Sequence, residues 1–105
     1  MTESEIQSKI TDSHLLLAYF SQPECLVCKS LRPKIEKLAA GYPNHEFQYI
    51  DTQLCSVLRG QHMIFAVPTI LLFYQGKEVK RWSRYLSVND IRYELDRYQE
   101  LVNDS

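Results

Sequence analysis

No apolar run in this 105-residue chain approaches the ~20 residues needed to span a bilayer. Charge of one sign is also lacking. The formal net charge is −1, which removes the electrostatic case for nucleic acid or an anionic membrane surface. Three cysteines are too few for the evenly paired disulfide framework of a small secreted scaffold. The N-terminal residues Met1-Thr2-Glu3-Ser4-Glu5 are acidic and lack the basic-then-apolar layout of a secretory signal. Internal repeats, low-complexity stretches and Gly/Ser/Pro-rich linkers are missing as well, so no domain boundary is drawn. What remains is 45% hydrophobic and 24% charged, an ordinary globular composition with length for one core. The expectation is one cytoplasmic domain over residues 1–105, monomeric, with no nucleic-acid or membrane partner.

Against this background Cys25-Leu26-Val27-Cys28 stands out. It lies between an apolar, strand-like run, Leu15 to Phe20, and a helix-like segment, Lys29 to Ala40. A strand feeding a thiol into a helix start sets that sulfur against unpaired backbone N–H groups and the positive end of the helix dipole. Both favour the thiolate, which is the reactive species. The second thiol is near enough to close a small disulfide ring, so strand, C-x-x-C, helix reads as a redox motif. A metal site is the competing reading, because two thiols are half of what structural zinc needs. His45 and His62 lie at no ligand-like spacing from them, and with His14 they read as strand-end or surface residues. The third thiol, Cys55, sits in the apolar segment Leu54 to Leu58 and reads as a small buried hydrophobe.

Periodicity supplies the elements around the motif. Residues 3–10 read as a short helix with Ile6 and Ile10 on one face. The continuous run Leu15 to Phe20 fits a central strand buried on both faces. Cys28, Leu31, Ile35, Leu38 and Tyr42 recur at helical spacing, which turns Cys28 toward the core and leaves Cys25 more exposed at the helix mouth. Pro33 falls inside that helix, and Gly41, Pro43 and Asn44 end it. Glu46 to Ile50 alternates as a strand, Thr52 to Gln61 reads as a short helix, and Thr69 to Tyr74 as a second apolar strand. The turn Gln75-Gly76-Lys77 leads into a strand from Glu78 to Tyr85. Ser87 and Asp90 open a final helix whose core stripe is Val88, Ile91, Leu95, Tyr98 and Val102. The order α, β, α, β, α, β, β, α predicts an α/β fold, a mixed sheet with helices on both faces.

These residues together resemble the thioredoxin family over about residues 14–102. The resemblance rests on the strand Leu15–Phe20, Cys25 and Cys28, Lys29, Pro33, Asp51, Val67-Pro68-Thr69 and Leu71-Leu72-Phe73-Tyr74-Gln75-Gly76-Lys77. It implies a thioredoxin-like fold with a four-stranded mixed sheet. Only about 13 residues precede the first strong strand, so the first edge strand of full thioredoxins is expected to be missing. It implies a thiol–disulfide oxidoreductase without a cofactor, Cys25 being the nucleophile and Cys28 the resolving thiol. It further implies a cis bond before Pro68, and a Val67 backbone that pairs with an extended substrate chain. Val67, Pro68, Thr69, Leu26 and Glu24 are the substrate-binding candidates. Disulfide-containing proteins are the implied substrates, and a thioredoxin reductase or another dithiol donor the implied source of electrons.

The chain departs from the family pattern at four places. Glu24 stands where the family's Trp-Cys-Gly-Pro-Cys motif has an aromatic, and a carboxylate there disfavours a neighbouring thiolate. Leu26-Val27 replaces Gly-Pro, which changes the stiffness of the disulfide ring. Tyr19 occupies the place of a buried Asp, six residues before the first Cys, that serves the family as a proton acceptor. A phenol with an ordinary pKa of about 10 is a poor base at neutral pH. Arg84-Tyr85 replaces a Gly beside the substrate groove. These departures keep a second reading open, a thioredoxin-like binding or adaptor module with little turnover. The basic runs Lys29, Arg32, Lys34, Lys37 and Lys77, Lys80, Arg81, Arg84 read as solvated faces, and the seven tyrosines and Trp82 as core and half-buried strand surface.

Overall fold

A computed structural model describes residues 1–83 and 86–103. In chain order the elements are α1 (Glu3–Asp12), β1 (Leu15–Ser21), α2 (Leu26–Ala40), β2 (His45–Asp51), α3 (Ser56–Gln61), β3 (Thr69–Tyr74), β4 (Lys77–Ser83) and α4 (Val88–Asn103). The strands form one mixed sheet in the order β2-β1-β3-β4. β1 runs parallel to β2, from Leu15 opposite His45 to Ser21 opposite Asp51, and antiparallel to β3, with Phe20 opposite Thr69. The order of elements and the mixed four-stranded sheet agree with the sequence reading, and α1 rather than a strand precedes β1.

Every residue of β1 is buried, which explains its unbroken apolar run. Its side chains alternate between two cores. Leu16, Ala18 and Phe20 join Ile6 and Ile10 of α1 and Leu58 of α3. Leu15, Leu17 and Tyr19 join Cys28 and Ile35 of α2 and Ile91 and Leu95 of α4. The helices therefore cover both faces of the sheet.

Element ends show where local contacts overrode periodicity. α2 begins three residues before the expected Lys29, because Cys25 caps it. α3 is shorter than the expected 52–61. The Asp51 Oδ1 accepts from the N–H groups of Gln53 (2.8 Å) and Leu54 (3.3 Å), and Thr52 donates its N–H (2.8 Å) and hydroxyl (3.1 Å) to the Ser21 carbonyl. Side-chain and cross-strand bonds hold this turn out of the helix. The β3–β4 hairpin turns on two residues with positive φ, Gln75 (50°) and Gly76 (81°), the pattern that matches strand twist. A Cβ at Gly76 would lie 3.0 Å from the Thr11 carbonyl oxygen, so glycine is required there. β4 starts one residue earlier than expected, and the expected continuation to Tyr85 lies outside the described residues. The Ser87 hydroxyl accepts the Asp90 N–H at 3.3 Å and opens α4 as the sequence suggested.

His45 opens β2 as a strand-end residue, though a buried one, and only His62 departs from the expected placement. His45 is buried, and its ring meets Tyr42 edge-on at 5.0 Å. His62 is half-buried against Phe20 and Phe73. Burial is the largest influence on both and holds each pKa below the ordinary 6.5. The unfolded chain therefore binds protons at these sites first as pH falls. Stability is expected to be full above about pH 6.5, to decline as pH drops below it, and to level off once the folded histidines titrate. Urea midpoints from pH 7.5 downward check this, and a His45→Gln/His62→Gln variant should show a flatter profile.

Candidate active site

β1 ends at Ser21, and a turn closed by the Cys25 N–H on the Gln22 carbonyl (3.1 Å) delivers Cys25 to the N-cap of α2. Its sulfur accepts the Cys28 N–H at 3.2 Å, which satisfies a donor that the helix itself leaves unpaired. The first turn of α2 carries no acidic residue. In the dithiol form the same N–H and the helix dipole act on the Cys25 sulfur and favour the thiolate. The two sulfurs form a disulfide across a Cα separation of 5.2 Å, inside the span such a bond tolerates. Cys25 is half-buried and Cys28 is only 2% exposed. That asymmetry suits an attacking and a resolving thiol. Among the described residues no group of three His, Cys, Asp or Glu side chains could hold a metal.

The Val67–Pro68 bond is cis. Because Phe20 pairs with Thr69, Pro68 lies at the same end of the sheet as the turn that carries Cys25. Val67 and Cys25 also pack on the same core cluster. The Thr69 hydroxyl donates to the Ala66 carbonyl at 2.7 Å and ties this loop together. A brace that sequence reasoning missed comes from Arg81 of β4. Its guanidinium donates to the carbonyls of Met63 (3.0 Å) and His62 (2.6 Å) while pairing with Glu78 at 2.9 Å. The sequence places Arg81 on a solvated face, since nothing local in it announces partners 18 and 19 residues away.

The other candidates fall around this centre. Leu26 is 76% exposed beside Cys25, Val27 is 64% exposed, and Phe65, two residues before Val67, is 85% exposed. Phe65 was also missed, because a lone aromatic outside any strand or helix pattern carries no periodic signal. Glu24 is exposed and its Oε2 accepts from Gln53 Nε2 at 3.0 Å, toward the loop after β2. Cys55 is buried and free, and burial first, then the charges of Glu3 and Asp51, raise its pKa and disfavour its thiolate. Arg84 and Tyr85 lie outside the described residues.

Tyr19 is fully buried among the rings of Phe47 (6.0 Å) and Tyr49 (6.2 Å). Its hydroxyl donates to the Cys28 backbone carbonyl at 2.8 Å. Burial, then the neighbouring Tyr49, pushes its pKa up to about 12, against the weaker opposing pull of Arg32. The phenol is thus a strut between β1 and the dithiol turn, and it is not a base at neutral pH.

The family profile described as thioredoxin matches residues 1–97. The chain belongs to the thioredoxin family. It is 35% identical to thioredoxin-1 of Saccharomyces cerevisiae over 80 residues, covering 76% of this chain and 78% of that one. It is 27% identical to the thioredoxin-like protein YdfQ of Bacillus subtilis over 96 residues, covering 91% and 86%. Among solved structures, thioredoxin 1 of Thermosipho africanus superposes with a TM-score of 0.77 at 30% identity, covering 84% of this chain and 98% of that one. Thioredoxin-family membership and the Cys25–Cys28 pair together support a function of the thiol–disulfide oxidoreductase kind. No described helix of this thioredoxin-family chain is long and apolar enough to cross a membrane.

Proposed function

We propose that this thioredoxin-family chain, as one domain over residues 1–105, reduces or exchanges disulfides in protein substrates through Cys25 and Cys28. The observation that carries the reading is the half-buried Cys25 sulfur on the α2 N-cap, accepting the Cys28 N–H at 3.2 Å, with Cys28 buried behind it. Cys25 thiolate attacks a substrate sulfur, the second substrate sulfur leaves as a thiolate and takes a proton, and a mixed disulfide remains. Cys28 thiolate then attacks the Cys25 sulfur, so the enzyme ends oxidised and the substrate reduced. A thioredoxin reductase or another dithiol donor returns two electrons, which fits a cytoplasmic setting where thiols are kept reduced.

Substrate would meet Val67, Pro68 and Thr69 through an extended segment paired with the Val67 backbone, with Leu26 and Glu24 on the opposite rim. The exposed side chains of Leu26, Val27 and Phe65 favour substrates with apolar residues flanking the disulfide. Phe65→Ser is expected to raise KM for insulin about tenfold, the equivalent of ~1.4 kcal/mol of lost apolar contact, with kcat within about twofold. Steady-state kinetics check this, and an unchanged KM would remove Phe65 from the rim.

The direct test of the activity is equilibration in graded glutathione buffers, with the reduced fraction read by alkylation and mass. A reversible two-electron couple at Cys25–Cys28, together with insulin reduction, is the expected result. The same apolar rim would also serve a binding module that uses no thiol chemistry. Absence of a reversible couple, with partner affinity unchanged when both thiols become serine, would favour that reading instead.

A further inference from the structure

In the dithiol form a resolving Cys28 has a proton to lose before it can attack. Cys28 is almost fully buried, and Tyr19, the residue directly beneath its turn, is a donor to the Cys28 carbonyl with its phenol held neutral. Beside Cys28 opens a cavity of about 150 Å³, walled by Ser21, Cys28, Lys29, Arg32 and Tyr49 among others. That volume has room for a few waters at ~30 Å³ each. None of the residues lining it is a carboxylate.

The charged groups around the cavity are few and their partners are on the page. From α2 come Lys29, which makes no ion pair among the described residues, and Arg32, whose guanidinium lies 4.0 Å over the Tyr49 ring and pairs with Glu36. From β1 and β2 come the phenols of Tyr19 and Tyr49, and Asp51, whose Oδ1 is taken by two backbone N–H groups. Glu24 is drawn away onto Gln53. The charged residues that line the cavity are thus two cations, Lys29 and the Glu36-paired Arg32. A positive charge within several ångströms favours thiolate over thiol, the opposite of what burial alone would do to Cys28.

We propose that Lys29 and Arg32 are positioning residues for the resolving step, holding Cys28 as a thiolate through this cavity while cavity water carries its proton to solvent. The proposal rests on the dithiol reading above and assigns the step for which that reading has no base. In the balanced step the Cys28 proton passes to water, and the Cys28 thiolate attacks the Cys25 sulfur of the mixed disulfide. The Cys25–substrate bond breaks, the Cys25–Cys28 bond forms, and the substrate sulfur leaves with the electron pair.

Reaction of the reduced protein with neutral dipyridyl disulfide separates the two steps. One absorbing thiopyridone leaves when Cys25 attacks, and a second leaves when Cys28 resolves the adduct. The second-phase rate is expected to rise with pH to a single inflection. Lys29→Gln/Arg32→Gln should move that inflection up by ~1 pH unit, and move the first-phase inflection by much less, since Cys28 and not Cys25 lines the cavity. Lys29→Arg/Arg32→Lys should restore it, and raised salt should shift the unmodified protein in the same direction as the double Gln variant. Equal shifts in both phases, or no shift in the second, would overturn the inference while leaving the dithiol chemistry intact. Loss of the second-phase inflection in Tyr19→Phe would overturn it too, by making the phenol the acceptor. Absence of the first phase would overturn the dithiol reading and this inference with it.

Discussion

Cys25→Ser is expected to bring insulin reduction down to the uncatalysed background, whereas Cys28→Ser keeps the first attack and accumulates mixed disulfides. The difference follows from position. Cys25 is the half-buried sulfur at the α2 N-cap, the one a substrate disulfide can reach, and a serine hydroxyl there can neither form a thiolate nor carry electrons. The loss should be on the order of 10³ or more, the scale of removing a covalent nucleophile. Cys28 is 2% exposed and bonded to the Cys25 sulfur, which makes its work intramolecular. A tethered thiol acts at an effective concentration far above that of a thiol in solution. Without it the Cys25 adduct waits for an external thiol, and non-reducing mass spectrometry of Cys28→Ser should show the protein carrying substrate. Turnover of Cys25→Ser near the rate of the unmodified protein would end the enzymatic reading.

Much of the fold was legible because burial leaves the apolar pattern few choices. Leu15 to Phe20 could only be a strand with a core on each side, and the structure places a separate cluster on each face. The stripe Val88, Ile91, Leu95, Tyr98, Val102 likewise packs as one side of α4. What escaped was set by contacts at long range or by function. Leu26 and Val27 break the helical stripe of α2 because they are exposed at its first turn, so periodicity placed the start too late. Glu94 looks like a surface residue between Ile91 and Leu95. It is 8% exposed, lying 3.8 Å from Lys80 of β4 and 3.6 Å from Arg97. The pair with Lys80 cannot be read from α4 alone. The same holds at the site. The thiol pair was legible from its spacing, and the cis bond from family likeness. The Arg81 brace, the Phe65 rim and the Tyr19 bond to Cys28 depend on which strand lies next to which.

Tyr19→Asp, which would return the family's buried acid to this site, is expected to destabilise the fold by at least ~3 kcal/mol. Removing the ring opens a cavity between Phe47 and Tyr49, a change of the Phe→Ala kind that costs about 3–5 kcal/mol. The carboxyl left behind is buried where a phenol had been, and the Cys28 carbonyl loses the bond now 2.8 Å long. Tyr19→Phe keeps the ring and forfeits only that bond, for about 1 kcal/mol. Urea denaturation at neutral pH should separate the two variants clearly. The pH dependence carries a further sign. A buried, unpaired carboxyl has a folded pKa above its unfolded value near 3.9. The Asp variant should therefore be most stable in acid and lose stability as pH rises through the folded pKa, opposite to the histidine-driven trend of the parent. If Tyr19→Asp were as stable as Tyr19→Phe with no such reversal, the ring cluster would not be packing α2 onto the sheet. The expected outcome instead makes aromatic strut and buried acid alternative solutions at one position. This chain has taken the strut, and the acid cannot be restored without rebuilding the pocket that Phe47 and Tyr49 complete.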